Sequence, residues 1–161
     1  ERLVLPGVGA FASCMKALRE RGFDSLVRER AAAGTPLLGI CVGMQMLFEV
    51  SVEFGTTEGL GLLAGRVRKF ETDLVVPQVG WNRIHQRQSH PLFADVSDSS
   101  FCYFVHSYYC EPGNADLSVG ETEYGVKYAA VVAQRNVCGV QFHPEKSQDV
   151  GLRMLRNFCD A

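Results

Sequence analysis

The pentapeptide Gly39-Ile40-Cys41-Val42-Gly43 sets a cysteine between two glycines, where the apolar run PLLGI gives way to a helical pattern that begins VGMQMLF. A G-x-C-x-G at a strand-to-helix junction has the form of a nucleophile elbow, in which a reactive side chain is held on a sharp turn at the carboxyl edge of a sheet. Larger residues at positions 39 and 43 would collide with the neighbouring strand and helix, so glycine permits the close approach. A helix beginning just after Cys41 would aim its unpaired N–H groups at the sulfur and favour the thiolate. The same pattern also suits a buried cysteine beside two packing glycines, so a second feature has to decide.

That feature is GVQFHPEKS, residues 139–147. A thiol nucleophile needs a base, and the base needs a group that fixes its tautomer. His143 and Glu145 supply both types two residues apart. Pro144 biases His143 toward extended backbone, where side chains at i and i+2 share a face. Glu145 is therefore expected to brace an imidazole turned toward Cys41, and the two segments together point to cysteine-based nucleophilic catalysis.

Positioning these groups requires elements that the apolar pattern outlines. RLVLPGVG reads as a short strand ending in a tight turn, and a helical period follows from Ala12 to Ala33, broken at Gly22 and closed by Gly34. PLLGI lacks alternation, as expected of a strand buried on both faces of a parallel sheet. Strand, helix, strand, helix implies an α/β sheet. After Glu53 the runs GRVRKF, VVPQVGWNRI, SFCYFVHSYYC, VKYAAVVAQ and VCGVQF read as short strands in antiparallel or mixed pairing. SQDVGLRMLRNFCDA reads as a last helix with Ser147 as its N-cap and Asp149 in its first turn. Leu18, Leu152 and Leu155 fall at apolar helical positions and are read as core, while His85 and His90 fall in a polar loop and are read as solvated. No repeat or linker interrupts the chain, so residues 1–161 are read as one domain.

Composition narrows the class. With 47% hydrophobic and 21% charged residues in 161, the chain can bury a core without staples. No apolar run approaches the roughly 20 residues of a membrane span, and a net charge of -2 offers no basic surface for nucleic acid. The six cysteines lie at wide, irregular spacings without a C-x-x-C pair, against a zinc ribbon or a thioredoxin motif. Reduced thiols in a cytoplasmic setting are expected. The opening Glu1-Arg2-Leu3-Val4 has no initiator methionine and falls directly in a strand-like run, so further residues are expected upstream.

With these segments assembled, the chain resembles the class I (triad) glutamine amidotransferases, most closely the glutaminases of imidazole glycerol phosphate synthase. LPGVGAF, GICVGMQMLFEVS, EGLGLL, VPQVGWN, YFVHSYY and GVQFHPEKS occur in the family's order and cover nearly all of the chain. The resemblance implies a flavodoxin-like three-layer α/β fold with a mixed central sheet, here lacking a first strand-helix-strand unit. It implies Cys41 as nucleophile, His143 as base and acid, and Glu145 as orienting partner. Gly7, Val8 and Gly9 match the oxyanion loop, with the N–H of Val42 as the elbow's own donor. Gln45, Glu53, His106, Ser107 and Tyr108 match the wall that holds glutamine. Trp81, the single tryptophan, is a core anchor or, as the resemblance suggests, part of a partner interface. The implied partner is a cyclase subunit with a (β/α)8 barrel, which would receive ammonia, and neither cofactor nor metal is implied. Two departures stand out: Val42 replaces a common leucine, and Gln78-Val79 replace a His-Met pair. The same triad would also serve the glutaminase of anthranilate or aminodeoxychorismate synthesis, or a stand-alone γ-glutamyl hydrolase.

Overall fold

The computed structural model covers residues 1–161. The first apolar run is strand β1, Leu3–Gly7, and the helical stretch after it forms α1, Phe11–Glu20, and α2, Phe23–Ala32. Their break falls at Gly22, whose φ of 69° is a left-handed conformation that glycine adopts without cost from a Cβ. Strand β2, Leu37–Cys41, is followed by α3, which is shorter than the sequence pattern suggests and spans only Val42–Met46. The helix stops because Phe48–Ser51 leaves it to become β3, with Leu47 and Phe48 wholly buried.

The second half supplies β4, Thr57–Glu58, β5, Leu63–Lys69, β6, Gln78–Gln86, β7, Ser100–His106, and β8, Tyr108–Pro112. Then come β9, Ser118–Tyr124, β10, Val126–Gln134, β11, Val137–Val140, and the closing helix α4, Gln148–Asp160. Strand β9 escapes sequence reading because SVGETEY carries a glycine and two glutamates. Pairing with β10 on one side and β6 on the other makes it a strand.

The central sheet has the order β1-β2-β11-β10-β9-β6-β7. β1, β2 and β11 run parallel, and the remaining pairs are antiparallel, so the sheet is mixed as expected. A smaller sheet, β4-β3-β5-β8, lies beside it. Alternate side chains divide the core between the two faces of the central sheet. Leu37, Val132 and Val137 pack with Phe11, Met15 and Val27 of α1 and α2 and with Phe48 and Val67 of the small sheet. Their neighbours Leu38, Val131 and Cys138 pack with Met154 and Phe158 of α4. That double coverage is why β2 reads as an unbroken apolar run.

Several expectations are corrected. Leu152 is exposed, because α4 presents Gly151, Met154 and Phe158 inward and position 152 falls outside that stripe. Leu18 and Leu155 are half-buried at the margins of the core. His85 belongs to β6 rather than to a loop. His90 is half-buried at the start of the turn Pro91–Phe93, where its Nδ1 accepts the Leu92 N–H at 3.2 Å. All six cysteines are free, and Cys102, Cys110 and Cys138 pack as small buried hydrophobes.

Glycine packing sets the distance between β1, β2 and α3. A Cβ on Gly39 would come within 2.7 Å of the Gly43 carbonyl oxygen, and one on Gly43 would overlap the Leu5 carbonyl oxygen outright. Gly43→Ala is therefore expected to destabilise the protein by about 3 kcal/mol, in the range of severe overpacking. Urea unfolding measures this, with Leu152→Ala, on the exposed side of α4, expected to change stability by less than about 0.5 kcal/mol.

Candidate active site

The parallel strands bring distant segments of the sequence to one edge. Gly7 pairs with Cys41 in the β1–β2 ladder, and Val140 pairs with Ile40 in the β11–β2 ladder. The residues that follow these strand ends therefore emerge side by side at the carboxyl edge: Val8 and Gly9 from β1, Cys41 from β2, and Gln141 to His143 from β11. This edge is where open α/β sheets place their sites, because the strands end there and the loops diverge.

Cys41 occupies the elbow at φ 54° and ψ -115°, a conformation that L residues rarely adopt. The Val42 N–H lies against its sulfur, and Gln141 Nε2 donates to it at 3.8 Å. The thiolate expectation is corrected: burial pushes the Cys41 thiol up to about 11, and the Glu145 carboxylate adds to the rise, while the Val42 and Gln141 donors only partly offset it. The resting Cys41 side chain is a neutral thiol.

His143 ends the segment after β11 with extended backbone, φ -97° and ψ 98°, as the following proline requires. Its Nδ1 lies 2.8 Å from Glu145 Oε1. A carboxylate only accepts, so Nδ1 carries a proton, and Nε2 is the nitrogen that the neutral ring leaves with a lone pair. Ser147 stands at the N-cap position of α4 but does not cap it. Its hydroxyl donates to the His143 carbonyl at 2.7 Å and accepts the Tyr103 N–H at 3.0 Å, which fastens the His143 backbone to β7.

Cys41 and His143 line one cavity of about 480 Å³. Of the other residues predicted from sequence, Val8, Gly9, Val42, Gln45, Glu53, His106, Ser107 and Tyr108 line it too. Gly7 does not; it packs behind the elbow, where a Cβ would lie 2.8 Å from the Gly43 nitrogen. Glu53 has a second task. Its Oε2 accepts the Phe11 N–H at 2.6 Å and so caps α1, whose N-cap residue, Ala10, has no side chain to do it. Both ring nitrogens of His106 are engaged, Nδ1 with the Tyr108 carbonyl at 2.8 Å and Nε2 with the Tyr128 hydroxyl at 3.1 Å. Burial holds His106 down to about 4, so it is a neutral wall of the cavity.

The sequence profile described as glutamine amidotransferase class-I matches residues 1–161. The chain belongs to the class-I glutamine amidotransferases. Its activity is that of this family, which works through a Cys-His-Glu triad. It is 49% identical over 163 residues to the imidazole glycerol phosphate synthase subunit HisH of Sulfurimonas denitrificans, covering 98% of this chain and 78% of that protein. It is also 49% identical over 160 residues to the HisH subunit of Herpetosiphon aurantiacus, covering 99% of this chain and 76% of that one. A solved glutamine amidotransferase superposes with a TM-score of 0.75 at 23% identity, over 99% of this chain and 77% of the other, a likeness of fold.

In this amidotransferase the cavity has further lining that sequence reading did not single out: Phe54, Lys69, Pro77, Val105 and Lys146. Phe54 and Lys69 sit in segments without a chemical pattern of their own, and only the folding of the small sheet against the elbow brings them in. Lys146 adjoins Glu145, and its place in HPEKS was a signal within reach. Gln141 was equally within reach, inside GVQFHPEKS, yet its position between Cys41 and Gln45 depends on strand register. Trp81 lies outside the cavity on the β6–β7 hairpin. It is 46% exposed and meets Tyr103 edge-on at 5.9 Å, so the core-anchor reading is set aside.

The raised thiol has a direct test in the pH dependence of Cys41 alkylation by iodoacetamide. Below its pKa the rate follows the thiolate fraction, so it should climb about tenfold per pH unit from pH 8 to 10. A plateau by pH 8 would contradict the neutral thiol. Exposed Cys159 should label ahead of Cys41 throughout the neutral range.

Proposed function

We propose that this chain is the glutaminase subunit of an imidazole glycerol phosphate synthase, hydrolysing glutamine to glutamate and ammonia and passing the ammonia to a cyclase subunit in histidine biosynthesis. The observation that carries the chemistry is the convergence of Cys41 and a Glu145-braced His143 on one cavity. The choice of pathway is supported by the identity, 44% to 49%, to proteins named as that synthase's HisH subunit.

In this reading, residues 1–161 form a single glutaminase domain. Glutamine enters with its amino-acid end among Gln45, Glu53, Ser107 and Tyr108. Glu53 Oε1 is free to meet an ammonium while Oε2 stays on α1, and the ring of His106 shapes the wall. As Cys41 Sγ forms its bond to the side-chain carbonyl carbon, its proton passes to His143 Nε2. The carbonyl electrons move to oxygen, where the Val42 N–H and the loop of Val8 and Gly9 receive the charge; Gly7, packed behind the elbow, only sets that loop's position. Collapse of the tetrahedral intermediate breaks the C–N bond, and His143 returns the proton to the departing ammonia. Water then adds to the thioester, giving its proton to His143, and the C–S bond breaks to release glutamate and restore the thiol. Because the resting thiol is neutral, transfer to His143 accompanies attack rather than preceding it.

The partner is a cyclase with a (β/α)8 barrel. Trp81 belongs to its docking face, supported by the exposed stripe of Val79, Trp81, Phe101 and Val105 across the paired strands β6 and β7. A cytoplasmic location agrees with six free thiols, and no helix is long and apolar enough to cross a membrane. The steps described use the side chains of Cys41, His143 and Glu145, backbone N–H groups and one water.

Cys41→Ala should abolish glutamine-dependent synthesis by the assembled enzyme and leave synthesis from added ammonium salts intact, since external ammonia bypasses only the glutaminase step. Retention of glutamine-dependent turnover would remove Cys41 from the chemistry. Glu145→Gln should lower kcat by about 10² or more yet less than Cys41→Ala does, because it orients the base without touching substrate. Equal losses in folded protein would assign Glu145 another role.

A further inference from the structure

Gln141 lies one residue beyond β11, and the register of Val140 with Ile40 brings its side chain level with Cys41. It is wholly buried. Its Nε2 donates to Cys41 Sγ at 3.8 Å, and its Oε1 accepts from Gln45 Nε2 at 3.0 Å. The direction of this chain of amides is set at its far end. The Tyr108 carbonyl can only accept, and it lies 3.0 Å from the Gln45 amide, so Gln45 turns its NH2 toward it. The second hydrogen on that nitrogen faces Gln141, which must meet it with oxygen and is left with its own NH2 toward the sulfur. A flipped Gln141 would set two NH2 groups against each other and turn a lone pair on the sulfur.

The same logic fixes what Gln45 offers to the cavity. Both its N–H groups are spent, and its Oε1 accepts from no protein group. The buried polar side-chain atoms without a partner are Ser118 Oγ and Thr122 Oγ1, so the Gln45 oxygen is not sealed in. Gln45 lines the cavity, and this oxygen is the acceptor it has left to offer there.

We propose that Gln141 is a positioning residue that couples the two halves of this site. Its NH2 steadies the charge that develops on Cys41 Sγ, and its oxygen holds Gln45 with an acceptor turned toward the ammonium of the substrate's amino-acid end. The inference rests on the glutaminase reading, and it adds that recognition and nucleophile share one amide relay anchored on the Tyr108 carbonyl. That carbonyl also receives His106 Nδ1, so the anchor is held from a second side. A residue that merely fills the space between β11 and α3 would need neither orientation.

The test uses Gln141→Met, which keeps the volume and removes both bonds, and Gln45→Met, which leaves the sulfur contact in place but removes the group that orients Gln141. In the full chain, Cys41 alkylation by iodoacetamide at pH 8.5 is followed by mass spectrometry, with exposed Cys159 as internal reference, alongside kcat and KM for glutamine. Gln141→Met should slow Cys41 alkylation about three- to tenfold at an unchanged Cys159 rate, and lower kcat about tenfold or more. Gln45→Met should also slow Cys41 alkylation, and should raise KM by a larger factor than it lowers kcat. An unchanged Cys41 rate in Gln45→Met overturns the coupling, and that variant decides the matter if Gln141→Met fails to fold. Glutamine turnover that survives Cys41→Ala would instead overturn the glutaminase reading itself. Loss of turnover in Cys41→Ala beside unaltered rates in both relay variants overturns the relay alone.

Discussion

The contact between the Gly43 backbone and the Leu5 carbonyl sets the geometry on which the site depends. No side chain of any size fits there, so α3 presses directly onto the ends of β1 and β2. That approach keeps Cys41 in its strained elbow and places the Val42 N–H beside the sulfur. It also sets the Val8–Gly9 turn beside Cys41, because Gly7 and Cys41 are partners in the same ladder. A single methyl group at position 43 would separate elements that the chemistry needs within hydrogen-bonding distance.

Burial is the second constraint, and it works against ionisation of Cys41 in the resting protein. Enclosing Cys41 keeps its thiol neutral, while the donors needed to stabilise negative charge are already in place around it. Such prearranged donors do most for charge that appears during reaction, since little reorganisation remains to be done. His143 is likewise held in advance: Glu145 accepts from its Nδ1, and Ser147 fixes its backbone. Site residues also have structural duties. Glu53 caps α1 while lining the cavity, and Ser147 leaves its helix uncapped to hold the His143 turn. Stability and function are therefore coupled at these positions, and substitutions there will move both.

How far the sequence reaches is clearest from particular residues. G-x-C-x-G and His-Pro-Glu were legible because each encodes a local geometry: a tight turn in one, an extended dipeptide with a shared face in the other. The α/β class was legible from the unbroken apolar run of β2 and the helical period before it, whereas the three-layer form was implied only by the family resemblance. Strand β9 was not, since its polar SVGETEY becomes a strand only between β6 and β10. Phe54 and Lys69 were not, because they reach the cavity through packing of the small sheet.

By itself, then, the sequence determined which residues could react and which backbone shapes would present them, because those depend on neighbours a few positions apart. The tertiary structure alone decided how those residues behave. The protonation of Cys41 follows from the solvent excluded around it, the direction of the Gln141 amide from a carbonyl 33 positions earlier in the chain, and the double duty of Glu53 from a helix end that happens to meet it. Desolvation, hydrogen-bond direction and capping are properties of assembled space, and distance along the chain does not encode them.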